Sequence, residues 1–394
     1  MGSLLKDRRA VALLLAATLT VMSNAIISPG LPGIAAYFAA TPNADLLTRL
    51  LITAPSLTVA VIAPFAGLLV DRVGRKAMLM TGAGLFGLAG SAGLWAPSLQ
   101  VLLASRLVLG IGVAMLMTAM TALVAQYFHG AARGRFMGLQ MTFINFGGLV
   151  FIAAAGQLAN HSAFYPFALY LAGLVYLPVL YFCLEEPKSH SHEDASHPSA
   201  QGQDGWQMVF ALGLMLMALT FATFYILPTQ IAFYLGQLGH TDPSTAALMM
   251  VCVTFGAGTI AIVYPKLRAA LGRGGVLGAG FVMLGAGFWM ISYVQLVPMI
   301  AAASVLVGIG PGLIVPTLFN STLDAVPMRH HGMASGALTF SLFIGQFISP
   351  ILTQPLLRAG GYHLAFMVFA ATALVGALLA VTVFRERKTG LASV

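Results

Sequence analysis

Charge is what this 394-residue sequence has least of. Only 8% of its residues are Asp, Glu, Lys or Arg, 11 acidic against 19 basic, too few to clothe a separate hydrated domain. Cysteine is scarcer still. Cys183 and Cys252 both lie inside apolar runs, which gives no disulfide framework and no metal-ligand spacing and argues against redox chemistry. Acidic residues are missing from the middle of every apolar run: Asp45 and Asp242 stand at one set of ends and Asp324 at the other. There is no HExxH, no GxSxG and no His cluster within a run, so the groups that a membrane-embedded enzyme needs are missing and no cofactor is expected. The charged rings of a channel and the soluble output domain of a sensor are missing too.

What is there is apolar surface. Hydrophobic residues make up 59% of the chain and the mean hydropathy is +0.91, against roughly 45–50% apolar content in soluble domains. The chain reads as an integral, multi-pass membrane protein. A hydrocarbon core about 30 Å thick takes roughly 20 apolar residues per helix, and the polar interruptions leave twelve runs. They begin near Ala10, Leu47, Ala77, Gln100, Phe136, Phe164, Gln207, Pro243, Gly275, Pro298, Gly336 and Leu364. The runs are continuous rather than alternating, which favours helices over a barrel. The first is nearly thirty residues long and is read as a retained span, not a cleaved leader.

The pI of about 9.7 raises the question of nucleic acid, but the basic residues sit between apolar blocks, where topogenic anchors sit. With the N-terminus inside, 16 of the 19 Lys and Arg fall on the inner side; Arg49 and Arg358 fall outside and Arg106 within a span. Both termini are therefore expected in the cytoplasm. The one long polar segment, residues 185–205, divides six spans from six: residues 1–184 and 206–394 form the two halves. His190, His192 and His197 beside Glu193 and Asp194 are a metal-binding alternative, but the Ser, Pro and Gly around them read as linker.

The halves resemble each other. Shifted by 198 residues, ASRLVLGIG (104–112) lies on AASVLVGIG (302–310), and Gly74 and Arg75 lie on Gly272 and Arg273. Matches at nearly one offset favour duplication of a six-helix unit, which is a transporter architecture with a site at the midplane between the copies.

Residues 67–76, GLLVDRVGRK, concentrate charge in a loop of six residues. Gly67, Asp71, Arg72, Gly74, Arg75 and Lys76 match the G-x-L-x-D-R-x-G-R-K signature of the major facilitator superfamily, and Arg106, Gly110 and Gly112 resemble that superfamily's R-x-x-x-G-x-G motif. The chain thus resembles a major facilitator transporter of the twelve-span drug and small-molecule exporter branch. The resemblance implies an all-α fold of twelve transmembrane helices in two pseudo-symmetric six-helix bundles, and alternating access driving efflux of a small organic solute. Import or facilitation of an organic anion or zwitterion is the alternative. It also implies a monomer in a bacterial inner membrane, with lipid, substrate and protons as its partners.

On this reading the loop is a conformational latch. Its glycines let backbone approach, while Asp71 caps a helix and pairs with an Arg; plain topogenic charge would explain Arg72, Arg75 and Lys76 but neither Asp71 nor the glycines. The second copy has Ala269 at the Asp71 position, so that half is expected to latch weakly or not at all.

Arg106 is expected to face a cavity, because a charge at a helix centre costs about 2.5–3.5 kcal/mol; snorkelling is the alternative. It would favour an anionic or zwitterionic solute. Asn24, Thr118, Asn145, Tyr225, Gln230, Asn320 and Gln346 are further substrate-binding candidates, each equally readable as helix-to-helix glue. Related proton-coupled exporters carry a carboxylate in or near the first span, where this chain has Ser23, Asn24 and Ser28. Proton coupling would fall to Asp45, Asp324 or a solute group held by Arg106.

Overall fold

A computed structural model describes residues 6–186 and 205–384, apart from the side chains of Pro64, Leu68, Asp71, Ala131 and Arg329. Among the described residues every regular element is helical, as lipid demands of a backbone that must satisfy itself. In chain order the α-helices are α1 (Arg8–Ala25), α2 (Leu31–Tyr37), α3 (Ala44–Val73), α4 (Arg75–Gly90), α5 (Leu99–Tyr127), α6 (Gly130–His161), α7 (Ala172–Cys183), α8 (Trp206–Phe224), α9 (Ile226–Gln237), α10 (Pro243–Tyr293), α11 (Val297–Ala325) and α12 (His331–Val383).

Ten segments among the described residues are long and apolar enough to cross a membrane. Two of them, α10 with 51 residues and α12 with 53, would each be nearly 80 Å long at about 1.5 Å per residue, more than twice the hydrocarbon thickness. Each breaks once, α10 at Gly272 (φ 68°) and α12 at Gly360 and Gly361 (φ 68° at the latter). Dividing them there gives twelve segments long enough to cross, consistent with the twelve apolar runs. The fifth begins six residues before the expected Phe136, at Gly130.

Two crossings are interrupted near mid-depth. Between α1 and α2 a 3-10 turn, Ser28–Gly30, carries Pro29. Between α8 and α9 stands Tyr225 alone. The two breaks occupy matching places in the duplicated halves.

The described residues form two compact units. The first holds the described residues up to 186 with Tyr225–Thr254 and Gln346–Pro355; the second holds 205–224, Phe255–Gly345 and the described residues from Leu356. In the first unit α3 and α4 pack on α5, and α1 on α6. A Cβ on Gly112 would lie 2.9 Å from the Gly82 carbonyl oxygen, and one on Gly82 2.9 Å from that of Gly112. Within the second unit Gly280 and Gly310 repeat this reciprocal approach at 3.0 Å. Both pairs differ by 198 residues, so the duplication reaches the packing of the fourth span of each half on the third.

Candidate functional site

A network of neutral polar side chains lies at the breaks of the first unit. Asn24 Nδ2 is within hydrogen-bond distance of Ser56 Oγ (3.2 Å), the Tyr225 hydroxyl (3.0 Å) and Gln346 Oε1 (3.2 Å). Ser56 donates to Gln346 Oε1 at 2.6 Å, and Ser23 to Asn24 Oδ1 at 3.3 Å. Ser56 is fully buried, Gln346 and Tyr225 are buried, and Asn24 is half-buried. Each of the four stands near the middle of its crossing, so α1, α3, the α8–α9 break and α12 converge on one depth. Ser28, in the other break, donates to the Pro228 carbonyl at 2.5 Å. An amide offers two protons and here faces three acceptors, one more than it can serve at once, so the network can exchange partners when a ligand atom takes one of those protons.

Three of the sequence candidates, Asn24, Tyr225 and Gln346, are thus brought together, and Ser56 is the member that sequence reading missed; a lone serine in an apolar run carries no signal of its own. Gln230 is fully buried one turn into α9, where its Oε1 accepts from Arg49 Nε at 2.9 Å. Thr118 is half-buried on α5, and Asn145 donates to its own helix at Met141 O (2.9 Å). Asn320 lies exposed on α11 in the second unit.

Arg106 is completely buried. Its Nη2 donates to the Gly90 carbonyl at 2.8 Å, and its guanidinium lies over the rings of Phe167 (4.6 Å) and Tyr170 (4.7 Å). Tyr170 in turn donates to Ser23 O at 2.9 Å, one residue from the network. Arg49, expected on the outer side, is a helical residue of α3 and 6% exposed. Asp45 lies on the exposed first turn of α3, and Asp324 at the exposed end of α11.

The expected six-residue loop is reduced to Gly74 between α3 and α4, which adopts φ 94° and ψ 146°, open in practice to glycine alone. The Glu186 carboxylate fills the space beside it: Oε1 accepts from the Arg75 amide at 2.7 Å and Oε2 from the Lys76 amide at 2.8 Å. A carboxylate so placed satisfies orphan donors at the start of α4 and complements its dipole. Lys76 Nζ donates to Tyr181 O (2.7 Å) and lies 4.7 Å over the Tyr181 ring. Arg9 pairs with Glu185 at 2.7 Å. The expected capping partner was Asp71, whose side chain lies outside the described residues, as do the linker histidines. Close backbone approach does not explain Gly67, since nothing lies within 4 Å of where its Cβ would be.

The second copy shares part of this geometry. Its Gly272 repeats the positive φ, and Arg273 Nη2 pairs with Asp324, at the end of α11, at 2.9 Å.

A family model described as the Major Facilitator Superfamily matches residues 13–267 and 240–393. The chain belongs to the major facilitator superfamily. Its members are membrane transporters rather than enzymes. Among curated relatives, the chain is 22% identical over 304 residues to "Multidrug resistance protein 1" of Bacillus subtilis, 75% of this chain and 77% of that one. It is 25% identical over 348 residues to the "Probable sulfoacetate transporter SauU" of Cupriavidus necator, 79% of each. The match to the "Niacin transporter NiaP" of Acinetobacter baylyi is 39% identical but spans only 88 residues, 22% of this chain and 20% of that relative. Among solved structures, the inward open xylose transporter XylE from E. coli superposes with a TM-score of 0.77 at 16% identity over 97% of both chains.

Proposed function

We propose that this protein is a secondary active transporter that moves a small organic solute across the membrane by alternating access, and that it works as an exporter. The observation that carries the reading is the Asn24–Ser56–Tyr225–Gln346 network. It joins residues of the first half to residues of the second at the two helix breaks, where substrate sites of duplicated transporters form. Residues 1–184 and 206–394 are the moving halves, 185–205 the linker, and both termini are cytoplasmic in a bacterial inner membrane, as the distribution of Lys and Arg supports. The unit functions as a monomer surrounded by lipid.

In this mechanism the halves separate on one side at a time. The Glu186 cap on α4 and the Arg273–Asp324 pair lie at the cytoplasmic ends of their halves and bias which side is open. The network has no carboxylate, so it binds a solute through neutral hydrogen bonds. Proton coupling requires a group elsewhere, with exposed Asp45 and Asp324 as the candidates. Arg106, wrapped by residues 90–170, stiffens its half behind the network.

The R-x-x-x-G-x-G motif and the likeness to "Multidrug resistance protein 1" favour export. Import of an organic acid is the second reading, supported by likeness to relatives named for niacin and sulfoacetate. Purified protein in liposomes, screened with acidic, zwitterionic and cationic solutes with and without a pH gradient, separates these. Flux of at least one class, lowered by Asn24→Ala and Gln346→Ala, is expected; flux no greater than that of empty liposomes contradicts the proposal.

A further inference from the structure

The described interior contains two buried arginines and no buried Asp or Glu. A buried cation needs a partner of opposite charge or several good acceptors. Arg106 takes a carbonyl and two ring faces, all from residues 90–170 of its own half. Movement of one half against the other leaves that shell intact.

Arg49 is built differently. Its Nη1 donates to Asp45 O at 2.7 Å within α3, while the Asp45 carboxylate is 3.7 Å away with 75% of its side chain exposed. The rest of its shell comes from α9 in the second half: Gln230 Oε1 accepts from Nε at 2.9 Å, and the guanidinium lies 4.2 Å over the Phe233 ring. A neutral amide oxygen and a ring face thus occupy the place where a guanidinium ordinarily holds an oxyanion through two parallel hydrogen bonds. Beside them Gln230 Nε2 is buried and makes no hydrogen bond, a donor with nothing to donate to.

We propose that Arg49 is the outer-side receptor for the anionic group of the solute, a carboxylate or sulfonate, and that Gln230 and Phe233 mask it in this state. The inference deepens the second transport reading, import of an organic acid, and rests on it. Separation of α9 from α3 strips the mask and presents the guanidinium. An arriving oxyanion takes the position of Gln230 Oε1 and offsets the loss of the Gln230 and Phe233 contacts. As the outer side closes again, Gln230 Nε2 supplies a second donor to the bound group. Charge selectivity then arises at the outer end, and the neutral network at Asn24 holds the rest of the molecule.

The test uses purified full-length protein and three probes of one shape and different charge, nicotinate, nicotinamide and the N-methylnicotinamide cation, with sulfoacetate as a second anion. Binding is measured by calorimetry. Wild type is expected to favour the two anions over nicotinamide, and Arg49→Gln to lower anion affinity by about 10- to 100-fold, the span of a charge-assisted hydrogen bond, with nicotinamide unchanged. Arg49→Lys should retain part of the preference. Phe233→Leu weakens the mask without touching the receptor and should raise anion affinity, a direction that a merely structural role for this contact does not give and one that does not depend on Arg49→Gln folding. Equal loss for all four probes in Arg49→Gln, or a wild type that prefers the cation, overturns the proposal. Anion binding that depends on Arg49 in a protein giving no flux in liposomes would support the receptor and overturn the transport reading instead.

Discussion

Glu186 closes over Gly74, with its carboxylate on the amides of Arg75 and Lys76 and all three of its terminal atoms 3.3 Å from where a Gly74 Cβ would lie. One glycine therefore meets two demands, a backbone conformation closed to other residues and a seat for the acid that caps α4.

Gly74→Ala should destabilise the protein by about 1–3 kcal/mol from backbone strain alone. Glu186→Ala should cost about 0.5–2 kcal/mol through the lost cap. Because the alanine methyl displaces the same carboxylate, the double variant should cost less than the sum. Thermal unfolding in detergent at fixed protein and lipid content measures all three; full additivity would separate the two roles.

The Arg273–Asp324 pair is part exposed, with side chains 30% and 55% accessible, so its worth to stability is small. A double-mutant cycle of Arg273→Ala and Asp324→Ala should give a coupling below about 1 kcal/mol, falling as salt rises. The charge-swapped pair should restore it. Any larger effect is expected on the balance of open states, read from thiol labelling on either side.

Gly112→Val and Gly310→Val place bulk against the backbone of Gly82 and Gly280 respectively. Each should cost about 1–3 kcal/mol from overpacking, and the two losses should be similar, since the contact is one contact made twice. A large loss at one site and none at the other would mean that the repeat is in sequence and not in packing.

Much of the fold was legible in the sequence for a simple reason: in lipid, apolar length fixes the helices and glycine fixes where they turn. Gly272, matched to Gly74 by the 198-residue shift, does break α10. What sequence did not carry was partnership across large separations. Asp324 as the acid for Arg273 lies 51 residues away, Glu186 as the cap for Lys76 110 residues away, and Ser56 beside Gln346 290 residues away. Arg49 stands at the outer end of the second run; its burial depends on Gln230 and Phe233, which no local pattern announces.

Asp242, at the start of α10, is held below the usual carboxylate range, chiefly by the Ser244 hydroxyl, with the Ser244 amide and Thr245 adding to it. A depressed folded-state value means that its stabilising effect is present above the unfolded carboxylate value and is lost as pH falls through the folded one. Asp242→Asn should therefore narrow the stability difference between neutral and acid pH. Unfolding temperatures of both proteins from neutral pH to below the carboxylate range check the sign; an unchanged pH profile would mean that the cap contributes nothing.

The central claim is that the two halves must part and rejoin around the Asn24 network. Asn160 Oδ1 accepts from the Ser244 amide at 3.2 Å, joining the end of α6 to the start of α10 across the halves. With Cys183 and Cys252 replaced by serine, Asn160→Cys and Ser244→Cys can be oxidised to a disulfide, and flux of the best solute from the liposome screen measured before and after. The account predicts that oxidation stops flux and reduction restores it; undiminished flux through the cross-linked protein would contradict it.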